Sequence, residues 1–185
     1  MDLKHYGYED VKDIRALLLD IHDDVYAEEH DDFHSRDRFA QFVDAWSAKE
    51  TWACVVGFEK GEPVGYAYGA AFNPGGWWRG VQDPVWLTPE TRVFAVSELM
   101  VDPRWRKTGA SVALHDALLG TQYAHYATLF VDTAHPGVIA LYEGWGYSRV
   151  SESKPFDDAP LYAVMAKQLS RPHGDAATAR PEGRR

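Results

Sequence analysis

The chain has 185 residues, of which 45% are hydrophobic and 25% charged, and its net charge is −9. This describes one globular domain with a sizeable core, and a surface of that sign repels nucleic acid. No run reaches the ~18 apolar residues that a membrane span requires. Met1 to His5 carries no signal-peptide pattern, and the lone cysteine, Cys54, allows no internal disulfide, so a cytoplasmic protein is expected.

Leu3 to Tyr6 reads as a short first strand that Gly7 breaks. Glu9 and Asp10 then sit where a helix start favours acids, and Val11, Ile14, Leu18, Ile21 and Val25 mark one helix face. The stretch from Asp20 to Arg38 is crowded with acids, among them Asp23, Asp24 and Glu28, and it also holds His22, His30 and His34. Three readings stay open: a solvated acidic surface, an acidic mouth for a cationic ligand, and a metal site using His30 and His34 at i, i+4. No HExxH signature supports the last, so no metal is expected. Ser35 can cap a second helix, whose apolar stripe is Phe39, Phe42, Val43 and Trp46.

Trp52–Phe58 and Val64–Phe72 read as strands joined by the tight turn Glu59-Lys60-Gly61-Glu62, hence an antiparallel hairpin. Both strands are apolar on both faces, so helices should cover the sheet on two sides. Asn73 to Thr91 is a long irregular link. It carries Trp77, Trp78 and Trp86, which argues against plain disorder. It either folds over a binding site or is a surface loop anchored by its tryptophans.

Val93 to Val101 predicts a fourth strand, which Asp102-Pro103 stops. A basic loop, Arg104-Trp105-Arg106-Lys107-Thr108-Gly109, follows. Ala110, Ala113, Leu114, Ala117 and Leu118 then recur at helical spacing. Strand, glycine turn and helix together present free N–H groups, a positive dipole end and two cations, which makes an anion site. The spacing is neither that of a Walker loop nor that of a dinucleotide-binding fingerprint. Further on, Thr128–Asp132 reads as a fifth strand, Val138–Glu143 as a short helix, Tyr147 as the start of another strand, and Leu161–Leu169 as the last. Ser170 to Arg185 reads as a disordered tail.

Arg106-Lys107-Thr108-Gly109-Ala110-Ser111 resembles the acyl-CoA pyrophosphate loop, R/Q-x-x-G-x-G/A, of the GNAT (Gcn5-related N-acetyltransferase) superfamily, with Ser111 at a position the family fills with Gly or Ala. Leu141-Tyr142-Glu143-Gly144-Trp145-Gly146-Tyr147 resembles the family's L-Y-E-x-x-G-F/Y ending, in the right order and spacing. The resemblance covers roughly residues 3–169. It implies an α/β (α+β) GNAT fold: a mostly antiparallel mixed sheet, splayed between the fourth and fifth strands, with helices on both faces. It also implies an acetyl-CoA co-substrate. Arg106, Lys107, Thr108, Gly109, Ala110 and Ser111 would hold the pyrophosphate, and the backbone of Leu99, Met100 and Val101 would hold the pantetheine arm. Tyr142 would be the general acid and Glu98 the base. His135 stands where many members have a cofactor-contacting Asn.

In that family the region between the first and second helices commonly walls the acceptor pocket. This favours the cationic-ligand reading of residues 20–38 over the metal. The expected acceptor is therefore a small cationic amine, such as an aminoglycoside or polyamine, met by Asp23, Asp24 and Glu28 and by Trp77 and Trp78. A protein or peptide amino group and a non-catalytic acyl-CoA-binding module are the alternatives. A homodimer is left open by the sequence, and no nucleic-acid or membrane partner is expected.

Overall fold

In the computed structural model, which describes residues 1–29 and 31–170, seven strands form one sheet in the order β1-β2-β3-β4-β5-β7-β6. The strands are β1 (Asp2–Gly7), β2 (Ala53–Glu59), β3 (Glu62–Ala71), β4 (Val93–Val101), β5 (Tyr126–Asp132), β6 (Ser148–Ser153) and β7 (Tyr162–Gln168). The helices are α1 (Val11–Val25), α2 (Arg36–Ser47), α3 (Ala110–Gly120) and α4 (Pro136–Gly144). All neighbouring strands run antiparallel except β4 and β5. The disordered-tail expectation falls on residues 171–185, which lie outside the described residues.

Local chemistry explains the elements. The β2–β3 turn is two residues long. Lys60 and Gly61 both take positive φ, 52° and 88°, and a primed turn of that kind follows the twist of the strands it joins. Ser35 caps α2 by accepting from the Arg38 N–H at 3.3 Å.

Two apolar layers sandwich the sheet. On one face α3 and α4 bring Leu114, Leu118 and Tyr142 against Val55, Ala67, Phe94, Leu129 and Met165. On the other, α1 and α2 bring Leu18, Phe39 and Val43 against Val56, Tyr66, Tyr68 and Met100. The strand β2 is apolar on both sides because it feeds both layers. Over β5 on the second face lies the 73–91 link. Trp78 packs on Phe130 at 4.3 Å and donates from Nε1 to Thr128 Oγ1 at 2.9 Å, and Trp86 stacks on Tyr126 at 3.8 Å. No helix among the described residues is long and apolar enough to cross a membrane.

Candidate active site

The anion loop is built from backbone. At the end of β4 the buried Asp102 accepts from the Arg104 N–H at 2.8 Å and from the Arg104 guanidinium at 2.6 Å. Arg104 holds the Asp102 carboxyl below its usual range. The chain then reverses through two left-handed residues, Lys107 (φ 63°) and Gly109 (φ 87°), and enters α3. Among the described residues the N–H groups of Gly109, Ala110, Ser111 and Val112 have no acceptor, and Arg106 and Lys107 have no carboxylate partner. A Cβ placed on Gly109 would meet nothing within 4 Å, so the loop faces open space. Free N–H groups, a helix N-terminus and two unpaired cations fit a diphosphate. Thr108 instead braces the loop from within, its hydroxyl donating to the Trp105 carbonyl at 2.6 Å.

Beside this loop the sheet is split. Parallel pairing of β4 with β5 covers only Val93, Phe94 and Ala95, opposite Tyr126, Ala127 and Thr128. Among the described residues, the β5-facing edge of β4 from Val96 to Val101 has no strand partner. Ser97 is an extra residue on β4, because Tyr68 pairs with Glu98 while Gly69 pairs with Val96. A side chain at Gly69 would strike the Ala95 carbonyl, so this glycine is what permits the bulge. The side chain of Met100 is buried, with its sulfur accepting from the Tyr66 hydroxyl at 3.0 Å, while Leu99 and Val101 pack toward α3. The three residues therefore offer backbone, rather than side chains, to the split.

Glu98 and Tyr142 reach the split from opposite layers. Tyr142 lies in the α3–α4 layer, 8% exposed, wedged edge-on between Trp145 at 5.1 Å and Tyr147 at 5.5 Å. Burial, and then the charge of Glu98, push its phenol pKa upward, so it carries its proton at neutral pH. Glu98 is half-buried on the α1–α2 face. Burial raises its carboxyl to about 7, against an opposing hydrogen bond from the Leu99 N–H. The Glu98 charge also raises Tyr26 at the end of α1, Tyr66 and Tyr68 on β3, and Tyr162 on β7, each secondarily to burial. The carboxylate thus sits in a ring of phenols that no linear motif announces. His115 was also unsignalled; its buried Nε2 lies 2.9 Å from the Tyr147 hydroxyl, tying α3 to the chain beyond α4.

The remaining expected residues scatter. His135 is the N-cap of α4, largely exposed, with Nε2 3.8 Å from the Asp132 carboxylate. In the acidic stretch Arg36 pairs with Asp20 at 2.8 Å and also with Asp23, and His34 pairs with Asp31 at 2.8 Å. Of the three acids expected to meet the acceptor, Asp23 is thus in an ion pair. Asp24 and Glu28 are exposed, and the Asp24 charge reaches Arg104. His22 is buried and stacked on Phe39 at 4.1 Å, with its pKa lowered by burial. His30 lies outside the described residues. Trp77 packs on Trp86 at 5.3 Å. Trp78 is held by Thr128 and Phe130, the latter ring lying 5.6 Å from that of Tyr162.

Comparisons agree with this architecture. A family model described as the acetyltransferase (GNAT) family matches residues 15–147. No curated protein matches the chain. Among solved structures, the ribosomal-protein-S18-alanine N-acetyltransferase from Escherichia coli superposes with a TM-score of 0.63 at 17% identity, over 96% of this chain and 99% of that one. Aminoglycoside 6'-acetyltransferase type Ii gives 0.62 at 18% identity, over 93% and 100%. A chain of the NatC complex bound to Gag peptide and CoA gives 0.57 at 15% identity, over 92% and 100%. At these identities the likeness shows the fold, whereas the family match spans most of the chain. The chain therefore belongs to the acetyltransferase (GNAT) family and is a GNAT-family N-acetyltransferase.

Proposed function

We propose that this protein transfers the acetyl group of acetyl-CoA directly to the primary amine of a small molecule. The observation that carries the reading is the approach of a half-buried carboxylate and a buried phenol to one split in the sheet, from opposite faces and beside a loop of free N–H groups. Arg106, Lys107 and the N–H groups through Ser111 hold the pyrophosphate, and His135 at the start of α4 contacts the cofactor. The bare edge of β4 at Leu99, Met100 and Val101 hydrogen-bonds the pantetheine arm, and one of its N–H groups faces the thioester oxygen, where negative charge develops.

The acceptor arrives as an ammonium of pKa ~10, which is not a nucleophile. Partial burial among aromatic rings disfavours its charged form. Glu98 takes the proton, directly or through water, and its raised pKa brings it near the operating pH, where a base is most effective. The amine nitrogen attacks the carbonyl carbon, the C–N bond forms and the C–S bond breaks. Tyr142 donates its proton to the departing thiolate, and the surplus proton on the nitrogen returns to the Tyr142 phenolate, leaving a neutral amide and a free thiol. The single buried thiol, Cys54, suits a reducing compartment, and we place the enzyme in the cytoplasm.

Thermal melting with and without acetyl-CoA, followed by thiol release against a panel of amines, tests the reading. A ligand held only by the folded state at a hundred times its Kd adds about 2.7 kcal/mol, a clear rise in Tm. Absence of a rise would overturn the cofactor site. A rise without thiol release from any amine would leave a binding module.

A further inference from the structure

Tyr142 is aimed by its surroundings. Among the described residues no hydrogen bond holds its hydroxyl, and its ring is kept in place by Trp145, Tyr147 and, at 6.5 Å, His115. Backbone brings Tyr147 there. Helix α4 ends with Gly146 in the left-handed region (φ 89°). The Gly146 N–H donates to the Glu143 carbonyl at 2.9 Å, and the Tyr147 N–H donates to the Tyr142 carbonyl at 3.0 Å. This is the Schellman closure of a helix, in which the residue after the glycine folds back onto the last turn. Here it sets Tyr147 against Tyr142. The closure places the Tyr147 backbone and leaves its phenol to be directed by something else.

That direction comes from α3. His115 and Tyr147 are both buried, and the imidazole Nε2 meets the phenol oxygen at 2.9 Å, while Nδ1 lies 3.1 Å from Oδ1 of Asp116. Burial holds the imidazole below its ordinary pKa, so it is neutral and carries one N–H. The Asp116 carboxylate can only accept. It therefore assigns that N–H to Nδ1 and leaves Nε2 to accept from the Tyr147 hydroxyl. Packing alone does not ask for this pair, because leucine and phenylalanine would fill similar space without the cost of burying polar atoms. What the polar pair adds is direction: a hydrogen bond weakens steeply with misalignment, whereas stacked rings can slide.

We propose that His115 is a positioning residue for the acid step: by holding the Tyr147 hydroxyl it fixes the wall against which the Tyr142 ring lies, and with it the line along which Tyr142 delivers its proton. The inference rests on the acid role of Tyr142 proposed above. Helix α3 begins at Ala110, among the N–H groups proposed for the pyrophosphate, and His115 stands about 7.5 Å further along its axis. Cofactor and acid are thus registered against one rigid helix. That registration matters because a misplacement of about 1 Å can cost about 10²-fold in rate.

The test is a cycle built on the double variant His115→Leu/Tyr147→Phe, which removes both polar partners and leaves neither orphaned. Thiol release from acetyl-CoA is followed with whichever of kanamycin, spermidine and phenethylamine the wild type uses fastest. The double variant should lower kcat at least tenfold, with the KM for acetyl-CoA and the acetyl-CoA-induced rise in Tm unchanged. Made in a Tyr142→Phe background, the same two substitutions should lower kcat less than twofold, because no acid is left to aim. Tyr147→Phe alone, which removes a single oxygen, gives the same comparison if the double variant folds poorly. Wild-type kcat in the variant overturns the positioning role, and so does a loss just as large without the Tyr142 hydroxyl. If Tyr142→Phe by itself keeps wild-type kcat, the acid reading fails and the positioning role falls with it. No thiol release from any of the three amines overturns the N-acetyltransferase reading itself.

Discussion

The two sides of the split are made of different material. The side proposed for the cofactor, from Leu99 to Ser111, is backbone: a strand edge unpaired among the described residues, two left-handed residues and the first N–H groups of α3. The side proposed for the acceptor is side chain: Tyr26, Glu98, Phe130 and Tyr162, contributed by the end of α1 and by β4, β5 and β7. A site made of backbone depends on where a strand stops and where a glycine falls, and both are local. A site made of side chains depends on which elements become neighbours, which no short stretch encodes. Substitution should therefore act on the first side through conformation and on the second through chemistry.

The largest effect should come from Tyr142→Phe, which keeps the ring and its packing but removes the proton. Loss of a general acid lowers kcat by roughly 10²–10⁴. The acetyl-CoA-induced rise in Tm should stay as it is, and a variant that keeps wild-type kcat would remove Tyr142 from the acid role. Glu98→Gln should lower kcat/KM by about 10² and abolish a pH dependence. In the wild type only the carboxylate accepts a proton, so activity should climb as the pH passes about 7. Stability should move the other way. Because the folded state raises this pKa above the ordinary carboxylate value, the folded protein binds the proton more tightly than the unfolded chain does, and stability falls as the pH rises toward and through about 7. Melting curves from pH 5 to 9 should show Glu98→Gln gaining on the wild type as the pH increases.

On the backbone side, Gly109→Val forces a β-branched residue into φ 87°. The cost is ~1–2 kcal/mol, which should weaken acetyl-CoA binding about tenfold by calorimetry. Acceptor preference should not change; a shift would mean that the two sides are less independent than their construction implies. The smallest effect belongs to Trp78→Phe, which loses the hydrogen bond to Thr128 at a cost of ~1 kcal/mol, or ~2–4 °C in Tm. Acceptor KM should move less than twofold, and a larger change would put Trp78 in contact with the acceptor.

The same contrast explains what could be read without coordinates. The run from Arg106 to Ser111 and the ending around Tyr142 are local signals, and the strands and helices on which they lie form where hydropathy and capping place them. The hairpin turn at Lys60-Gly61 and the Ser35 cap were legible for the same reason. The pairing of Arg36 with Asp20 and Asp23 was not, because it depends on how α1 packs beside α2. Nor did anything in the apolar run of β7 say that it would lie between β5 and β6. No sequence pattern singles out Tyr26 or Tyr162, and only their shared proximity to Glu98 distinguishes them.

The placement of β7 has a consequence for biosynthesis. Strand β6 is made before β7 but lies beyond it at the margin of the sheet, so on the ribosome it emerges with no partner. Until residues 162–168 appear, β5 keeps a bare edge and β6 is an isolated strand, two surfaces open to pairing with other nascent chains. The wall that carries Tyr162 is the last of the sheet to be laid down. A chain cut after Ser153 would keep the loop before α3 and Tyr142 while lacking β7 and its Tyr162. Translation speed through the β6–β7 connection should therefore govern how much of the newly made protein escapes aggregation.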